Sequence, residues 1–141
     1  MSNNLVIWDK MKEEKKAEIY YLKVPTFRRT VELHIGWDKG YFDKMFWEYW
    51  YDYNLTTGFF CFDDKNNCNI MWLKDYSIST LVHELFHCVI SILDQIWEDR
   101  ANWEAPAYIY EELFTKIWIK CWNKFKMDKD VIKYIEQKEI I

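Results

Sequence analysis

The sequence predicts an α+β fold, in which a small antiparallel or mixed sheet packs on one long helix and further helices follow. The length of 141 residues fits a single domain spanning residues 1–141. Val31, Leu33 and Ile35 alternate with polar residues, which is the period of a half-buried strand. Between residues 78 and 97, apolar residues instead recur at helical spacing. The strand signals come in two pairs, each followed by one or more helix signals, and this order favours an α+β fold.

Eight elements are predicted, in the order strand, strand, helix, strand, strand, helix, helix, helix. The strands are expected at residues 17–24, 29–35, 58–62 and 68–73. The helices are expected at about residues 38–53, 78–97, 102–126 and 128–138. Asp38, Asp128 and either Ser77 or Ser79 are polar residues of the kind that cap helix N-termini. His34 falls on the polar side of its strand, so we expect it to be exposed rather than to bind a metal.

Two of the predicted helices have apolar faces that should pack against a core. The first is strongly aromatic, and its core-facing residues are expected to be Phe42, Met45, Phe46, Tyr49 and Trp50. The second has an apolar stripe formed by Val82, Leu85, Phe86, Val89, Leu93 and Ile96. Because aromatic side chains bury large areas, the nine Trp, ten Tyr and nine Phe favour a compact core at this length.

Composition argues against several classes of partner. The net charge is −4, and no run of Lys or Arg is dense enough to attract nucleic acid. No stretch approaches the roughly 18 apolar residues of a membrane span, and residues 1–5 lack the pattern of a signal peptide. We therefore expect a cytoplasmic protein without nucleic-acid or membrane partners, whose four cysteines are free thiols.

The segment His83-Glu84-Leu85-Phe86-His87 is an HExxH motif inside the helix predicted at residues 78–97. The four-residue spacing places both imidazoles on one helix face, one turn apart, where they can bind one metal ion. Glu84 lies beside the first ligand, where a carboxylate can take a proton from a metal-bound water and pass it to a leaving amine. The motif therefore indicates a zinc site with an adjacent base.

The segment from Ser77 to His87 resembles the active-site helix of the zincin metallopeptidases. The strand before it, at residues 69–73, is similar to the zincin edge strand that pairs with an extended substrate. The resemblance covers residues 59–119. It implies a zincin-like fold and a zinc peptidase that hydrolyses a peptide or protein substrate with a metal-activated water, Glu84 acting as general base.

The same resemblance implies a third zinc ligand from the protein. Metzincins require glycine and histidine where this chain has Ile90 and Leu93, and no histidine follows His87. A carboxylate on the next helix, as in gluzincins, is then expected. Glu104 begins Glu104-Ala105-Pro106-Ala107, which looks like the E-x-x-A segment that supplies this ligand in ImmA/IrrE-like peptidases and small phage-encoded zincins.

Two further residues of this helix bear on the site. Glu111 lies two turns after Glu104 on the same face and remains the alternative third ligand. Tyr108, one turn after Glu104, is a candidate to stabilise the oxyanion of the reaction. Pro106 departs from the apolar residue usual in the E-x-x-A segment, although proline is tolerated in the first turn of a helix.

Two other functions remain open at this point. The chain could be a catalytically silent zincin-fold binding module, for instance a phage or mobile-element protein that acts on a factor in the host cytoplasm by occupancy. It could also be a structural protein stabilised by a four-coordinate zinc. Only the peptidase requires the carboxylate of Glu84 for activity.

Overall fold

The computed structural model describes residues 17–46, 51–96, 104–127 and 129–139. In these ranges the chain forms β1 (Glu18–Val24), β2 (Arg29–Ile35), α1 (Lys39–Phe46), β3 (Gly58–Asp63), β4 (Cys68–Leu73), α2 (Ile78–Gln95), α3 (Glu104–Cys121) and α4 (Lys129–Glu139). The order of elements is the predicted one, and the α+β class is confirmed. None of the described helices is long and apolar enough to cross a membrane.

The strands form one mixed sheet in the order β1-β2-β4-β3. β1 and β2 pair antiparallel, as do β3 and β4, and the two pairs are joined by parallel pairing of β2 with β4. β4 therefore lies inside the sheet, and β3 is the edge strand on the side of α2. The expectation that the strand preceding α2 forms the edge is wrong, because β4 has a hydrogen-bonded neighbour on each side.

The helices α2 and α3 cover one face of the sheet and form the main core with it. The buried side chains that the sheet contributes to this core are Leu22, Val24, Val31, Leu33, Ile35, Met71 and Leu73. The opposite face carries a smaller aromatic cluster of Trp37, Phe42, Phe46 and Trp72. Both faces of the sheet are thus covered in part, which the alternation in β2 does not predict.

His34 lies against Trp72 of this smaller cluster and is 7% exposed, so its predicted exposure is wrong. Its ring stacks on Trp72 with 4.0 Å between centroids, and its Nε2 lies 3.1 Å from Glu32 Oε2. Burial lowers the pKa of His34, against the opposing effect of the Glu32 carboxylate. The reason for the error is Trp72 of the neighbouring strand β4, whose ring covers His34 and belongs to the aromatic cluster on this face.

The buried face of α2 is rotated from the predicted one. Leu85, Val89 and Leu93 are buried as expected, but Val82 is 43% exposed and Phe86 is 56% exposed. The other apolar side chains of α2 that are fully buried in the core are Leu81, Cys88 and Ile92, and the predicted Ile96 is partly buried against it. Two neighbouring stripes of this helix are apolar, and packing against the sheet and α3 selects one of them.

The ends of α1 and α3 also differ from the predictions. Residues 51–53 are not helical, so the extension of the first helix to residue 53 is wrong. Phe42 and Phe46 are buried and Met45 is 46% exposed, while Tyr49 and Trp50 lie outside the described residues. α3 ends at Cys121 rather than near residue 126, because the chain turns there to reach α2.

That turn pairs the backbone of Lys126 with the start of α2. The amide of Lys126 donates to the carbonyl of Tyr76 at 2.8 Å, and the amide of Ile78 donates to the carbonyl of Lys126 at 3.1 Å. The N-terminus of the helix that carries the HExxH motif is therefore fixed by backbone hydrogen bonds to the segment after α3.

Near this turn, a cluster of polar side chains connects β1 to the segment that follows α3. Glu18 Oε2 accepts hydrogen bonds from the Tyr76 hydroxyl, from the Tyr20 hydroxyl at 2.9 Å and from Lys124 Nζ at 3.0 Å. The hydrogen bond from Tyr76, followed by that from Lys124, lowers the pKa of Glu18 to about 2. The ionised carboxylate is therefore favoured in the folded state.

We expect Glu18→Gln to lower the free energy of unfolding at pH 7 by on the order of 1 kcal/mol, since these groups remain accessible to solvent. A lowered pKa stabilises the fold above the ordinary value of 4.5 and ceases to do so as the pH falls towards about 2. Urea unfolding at pH 7 and at about pH 3 should show a smaller difference from wild type at the lower pH. An equal difference at both pH values would contradict the assignment.

Candidate active site

The helix α2 places the two motif histidines side by side at the protein surface. Its N-terminus is capped by Ser77, whose Oγ accepts a hydrogen bond from the amide of Thr80 at 3.4 Å. One turn further, His83 Nε2 and His87 Nε2 lie 3.3 Å apart. The His83 side chain is 69% exposed, so a ligand can reach both ring nitrogens from solvent.

This separation fits two ligands of one zinc ion. Nitrogens that each lie about 2.0–2.1 Å from a tetrahedral metal are roughly 3.3 Å from one another. His83 Nε2 and His87 Nε2 have that spacing. The donor atoms are also of a type that zinc prefers, since neutral imidazole is among its common ligands.

Glu84 differs from its histidine neighbours in being 5% exposed. Its Oε1 lies 3.9 Å from His83 Nε2, which is within reach of a shared ligand but too long for a hydrogen bond. Burial raises the pKa of the Glu84 carboxyl, and the charges of His83 and His87 act in the opposite direction. Burial therefore favours the protonated form of this carboxyl more than solvent would.

Glu84 is buried because α2 approaches the start of β3 very closely at Gly58. A Cβ atom at this position would lie 2.6 Å from Thr80 Cγ2, 2.9 Å from the Trp72 carbonyl oxygen and 3.1 Å from Glu84 Cγ. Contacts that short are not tolerated, so the approach of helix to strand requires glycine here.

A cleft runs along the edge strand on both sides of Glu84. One half, of about 680 Å³, contains His83 and is closed by residues 51–57. The other half, of about 400 Å³, contains His87 and has Phe60 and Ile90 in its wall. Tyr51, Gly58 and Glu84 line both halves, so Glu84 lies where the two halves adjoin.

The wall opposite α2 is held in place by Lys74. Its Nζ donates to the carbonyl of Tyr53 at 3.0 Å and lies 3.7 Å above the centre of the Tyr53 ring. Its amide donates to the carbonyl of Thr57 at 2.9 Å. The Tyr51 ring packs on Phe59 of β3 with 5.3 Å between centroids. These contacts give the wall a defined position relative to the sheet.

Two of the residues predicted on α3, Tyr108 and Glu111, are not brought to this cleft. Tyr108 is 60% exposed and lines a separate cleft with Glu111 and the turn at Thr26 and Phe27. Glu104 is the exposed first residue of α3 and follows directly on residues 97–103, which lie outside the described part of the chain. Within the described ranges, no group of three or more His, Cys, Asp or Glu is placed to hold a metal ion.

The described walls of the cleft come from α2, from the start of β3 and from residues 51–52 and 55–57. Tyr51 and Asp52 were assigned to a helix, so the sequence did not mark them as residues of the site. Gly58, one of only three glycines, was the one available signal.

Comparison of the chain with protein-family models, curated protein sequences and solved structures gives no match. The assignment of function therefore depends on the geometry of the described residues and on the motif itself.

Replacing Gly58 with Ala should lower the free energy of unfolding by about 1–3 kcal/mol, the usual range for an overpacked site. Denaturant unfolding measures the effect. The matched control is Thr80→Ser in the Gly58→Ala background, which removes the methyl group that makes the closest contact. We expect it to restore part of the loss. Unchanged stability of Gly58→Ala would show that α2 and β3 are not in close contact.

Proposed function

We propose that the protein is a zinc-dependent peptidase with a zincin-like fold, in which Glu84 acts as general base. The observation that carries the proposal is the spacing of 3.3 Å between His83 Nε2 and His87 Nε2 next to a carboxylate that is 5% exposed. Exposed ligands beside a buried base, both opening into a cleft, form the arrangement that metal-assisted hydrolysis requires.

His83 and His87 would hold the zinc together with Glu104 as third ligand. Glu104 is proposed ahead of Glu111 because it begins the segment that resembles E-x-x-A. The hydroxyl of Tyr110 donates to the carbonyl of Val82 at 3.0 Å, so the N-terminal part of α3 lies beside the turn that carries the motif. Glu111, by contrast, lines the cleft next to Phe27.

In the proposed reaction, a bound zinc would supply a Lewis acid, which lowers the pKa of water and polarises a carbonyl. Glu84 accepts the proton of the attacking water and later donates it to the leaving amine. The low-dielectric surroundings of Glu84 favour this exchange, because they destabilise the carboxylate that must be protonated.

The substrate would lie extended along β3. This strand pairs with β4 on one side, and the cleft runs along its other side beside α2. A peptide bound there could continue the sheet through backbone hydrogen bonds, while the cleft walls contact its side chains. The scissile bond would then pass over Glu84, which both halves of the cleft share.

Metal analysis tests the proposed ligands. The purified protein should contain about one zinc per chain, and His83→Ala should abolish that content because a two-ligand site binds zinc far more weakly. Glu104→Ala should weaken zinc binding by at least about tenfold in a competition assay with a chelator, and Glu111→Ala is its matched control. Weaker zinc binding in Glu111→Ala but not in Glu104→Ala would identify Glu111 as the third ligand. Full zinc content in His83→Ala would refute the site.

Glu84→Gln tests whether the site is catalytic. The change keeps the side-chain volume and removes the base, so hydrolysis of a peptide library should fall by about 10²–10⁴-fold while zinc content stays unchanged. Metal analysis of the same sample is the internal control. If zinc is retained and biological activity remains whole, the peptidase proposal fails and a binding module that acts by occupancy is favoured.

A further inference from the structure

We propose that the outer face of α3 is a self-association surface, through which two copies of the chain form a symmetric dimer. The inference does not depend on the proposed function, because the residues that carry it line neither half of the cleft beside Glu84. It starts from three aromatic rings that the fold leaves at the surface.

These rings form an aromatic row of Phe114, Trp118 and Trp122. The three residues follow one another at intervals of four, so they lie along one face of α3 and its end. The rings of Phe114 and Trp118 stack with 6.0 Å between centroids, and those of Trp118 and Trp122 are also 6.0 Å apart. In chain order the residues are 37%, 45% and 57% exposed. Because contiguous exposed aromatic surface is typical of contact sites, the row is expected to meet a partner.

The aromatic row includes a small apolar hollow of about 220 Å³, lined by Phe114, Thr115 and Trp118. In protein interfaces, an aromatic side chain of one partner commonly fills such a hollow in the other. A second copy whose α3 runs antiparallel would bring its Trp122 to this hollow, because the row has one aromatic residue four positions on either side of Trp118. The row is therefore complementary to itself.

The charges on α3 are separated along the helix in a way that favours the same pairing. Its acidic residues all lie in its first half, its basic residues all lie in its second half, and two more lysines follow the helix: Glu104, Glu111 and Glu112, then Lys116 and Lys120, then Lys124 and Lys126. A two-fold axis at Trp118 makes the two helices antiparallel, so the acidic half of each faces the basic half of the other. The helix dipoles also oppose each other favourably in this arrangement.

Glu111 and Lys126 are the two charges that this pairing brings together. Glu111 precedes Trp118 by seven residues, Lys126 follows it by eight, and both side chains are exposed. Residues three and seven apart share a helix face, so Glu111 lies on the face of the aromatic row. Opposite charges at the two ends of an interface fix its register.

The same carboxylate argues against a membrane as the occupant of this face. Exposed tryptophan near lysine is also found where proteins bind anionic lipid. Docking of the aromatic row on a bilayer would, however, carry Glu111 towards an apolar phase at a cost in free energy. The net charge of −4 also opposes approach to an anionic surface. A second copy instead offers Glu111 a cation.

Sedimentation equilibrium of the full chain over a range of concentrations tests the role of the aromatic row. The wild type should form a dimer, and Trp118→Ala should raise the dimer Kd by at least about tenfold. Tyr21→Ala is the matched control. It removes an aromatic residue that is 66% exposed and whose neighbour Leu22 points into the core, so Tyr21 faces away from α3. A wild type that stays monomeric throughout the micromolar range overturns the inference.

A charge exchange tests the antiparallel register. Glu111→Lys and Lys126→Glu should each raise the dimer Kd by about three- to tenfold, because each change makes both contacts of the symmetric dimer repulsive. An equimolar mixture of the two variants restores both contacts and should return the Kd to near the wild-type value. Lys65→Glu, on the turn between β3 and β4, is the charge-matched control. Only the mass is read from these variants, because Glu111 is also the alternative zinc ligand.

Three further results would overturn the symmetric interface. They are a mixture that dimerises no better than either variant alone, a dimer that Trp118→Ala leaves unchanged, and assemblies larger than a dimer. Flotation with phosphatidylserine vesicles identifies the rival occupant. If the wild type is monomeric and binds these vesicles, and Trp118→Ala abolishes the binding, the aromatic row contacts a membrane and the inference fails.

Discussion

The close packing of α2 on the edge strand β3 is the contact on which the candidate site depends. Gly58 lets the helix approach until the side chains of Thr80 and Glu84 fill the space that a Cβ would occupy. Because the helix is this close, Glu84 is enclosed between helix and strand. The two histidines of the motif remain at the mouth of the cleft, where a ligand can reach them.

Adjacent residues of one helix thereby acquire opposite environments. His83 is largely exposed and can give its lone pair to a metal, whereas Glu84 is buried and has a raised pKa. On the surface of an isolated helix, the carboxylate would be solvated and burial would not raise its pKa. The sheet edge therefore determines the acid–base properties of Glu84, and the helical repeat determines the spacing of the two histidines.

The parts of the fold that could be predicted from the sequence depend on local patterns. β2 and β4 begin and end at the predicted residues, because turn residues and alternation mark their limits. The motif pair was also predictable, since a spacing of four residues fixes its geometry on any helix. The cap at Ser77 was one of two predicted alternatives and is decided by its hydrogen bond to Thr80.

The parts that could not be predicted depend on contacts between distant segments. His34 has the sequence pattern of an exposed strand residue, but Trp72 of the neighbouring strand β4 stacks on its ring and His34 is buried. Val82 and Phe86 lie on an apolar stripe, but packing against the sheet and α3 uses the neighbouring one. Asp52 joins the cleft through the strand order, which makes β3 the edge strand beside α2.

A crystal structure of the zinc-loaded protein, with anomalous data on both sides of the zinc absorption edge, tests the central claim most directly. We predict one anomalous peak about 2.0–2.1 Å from both His83 Nε2 and His87 Nε2, with Glu84 beside it but not bound to it. An oxygen ligand at an open position would accompany a catalytic site. A structure in which zinc lies elsewhere, or in which the two imidazoles only contact each other, would contradict the account.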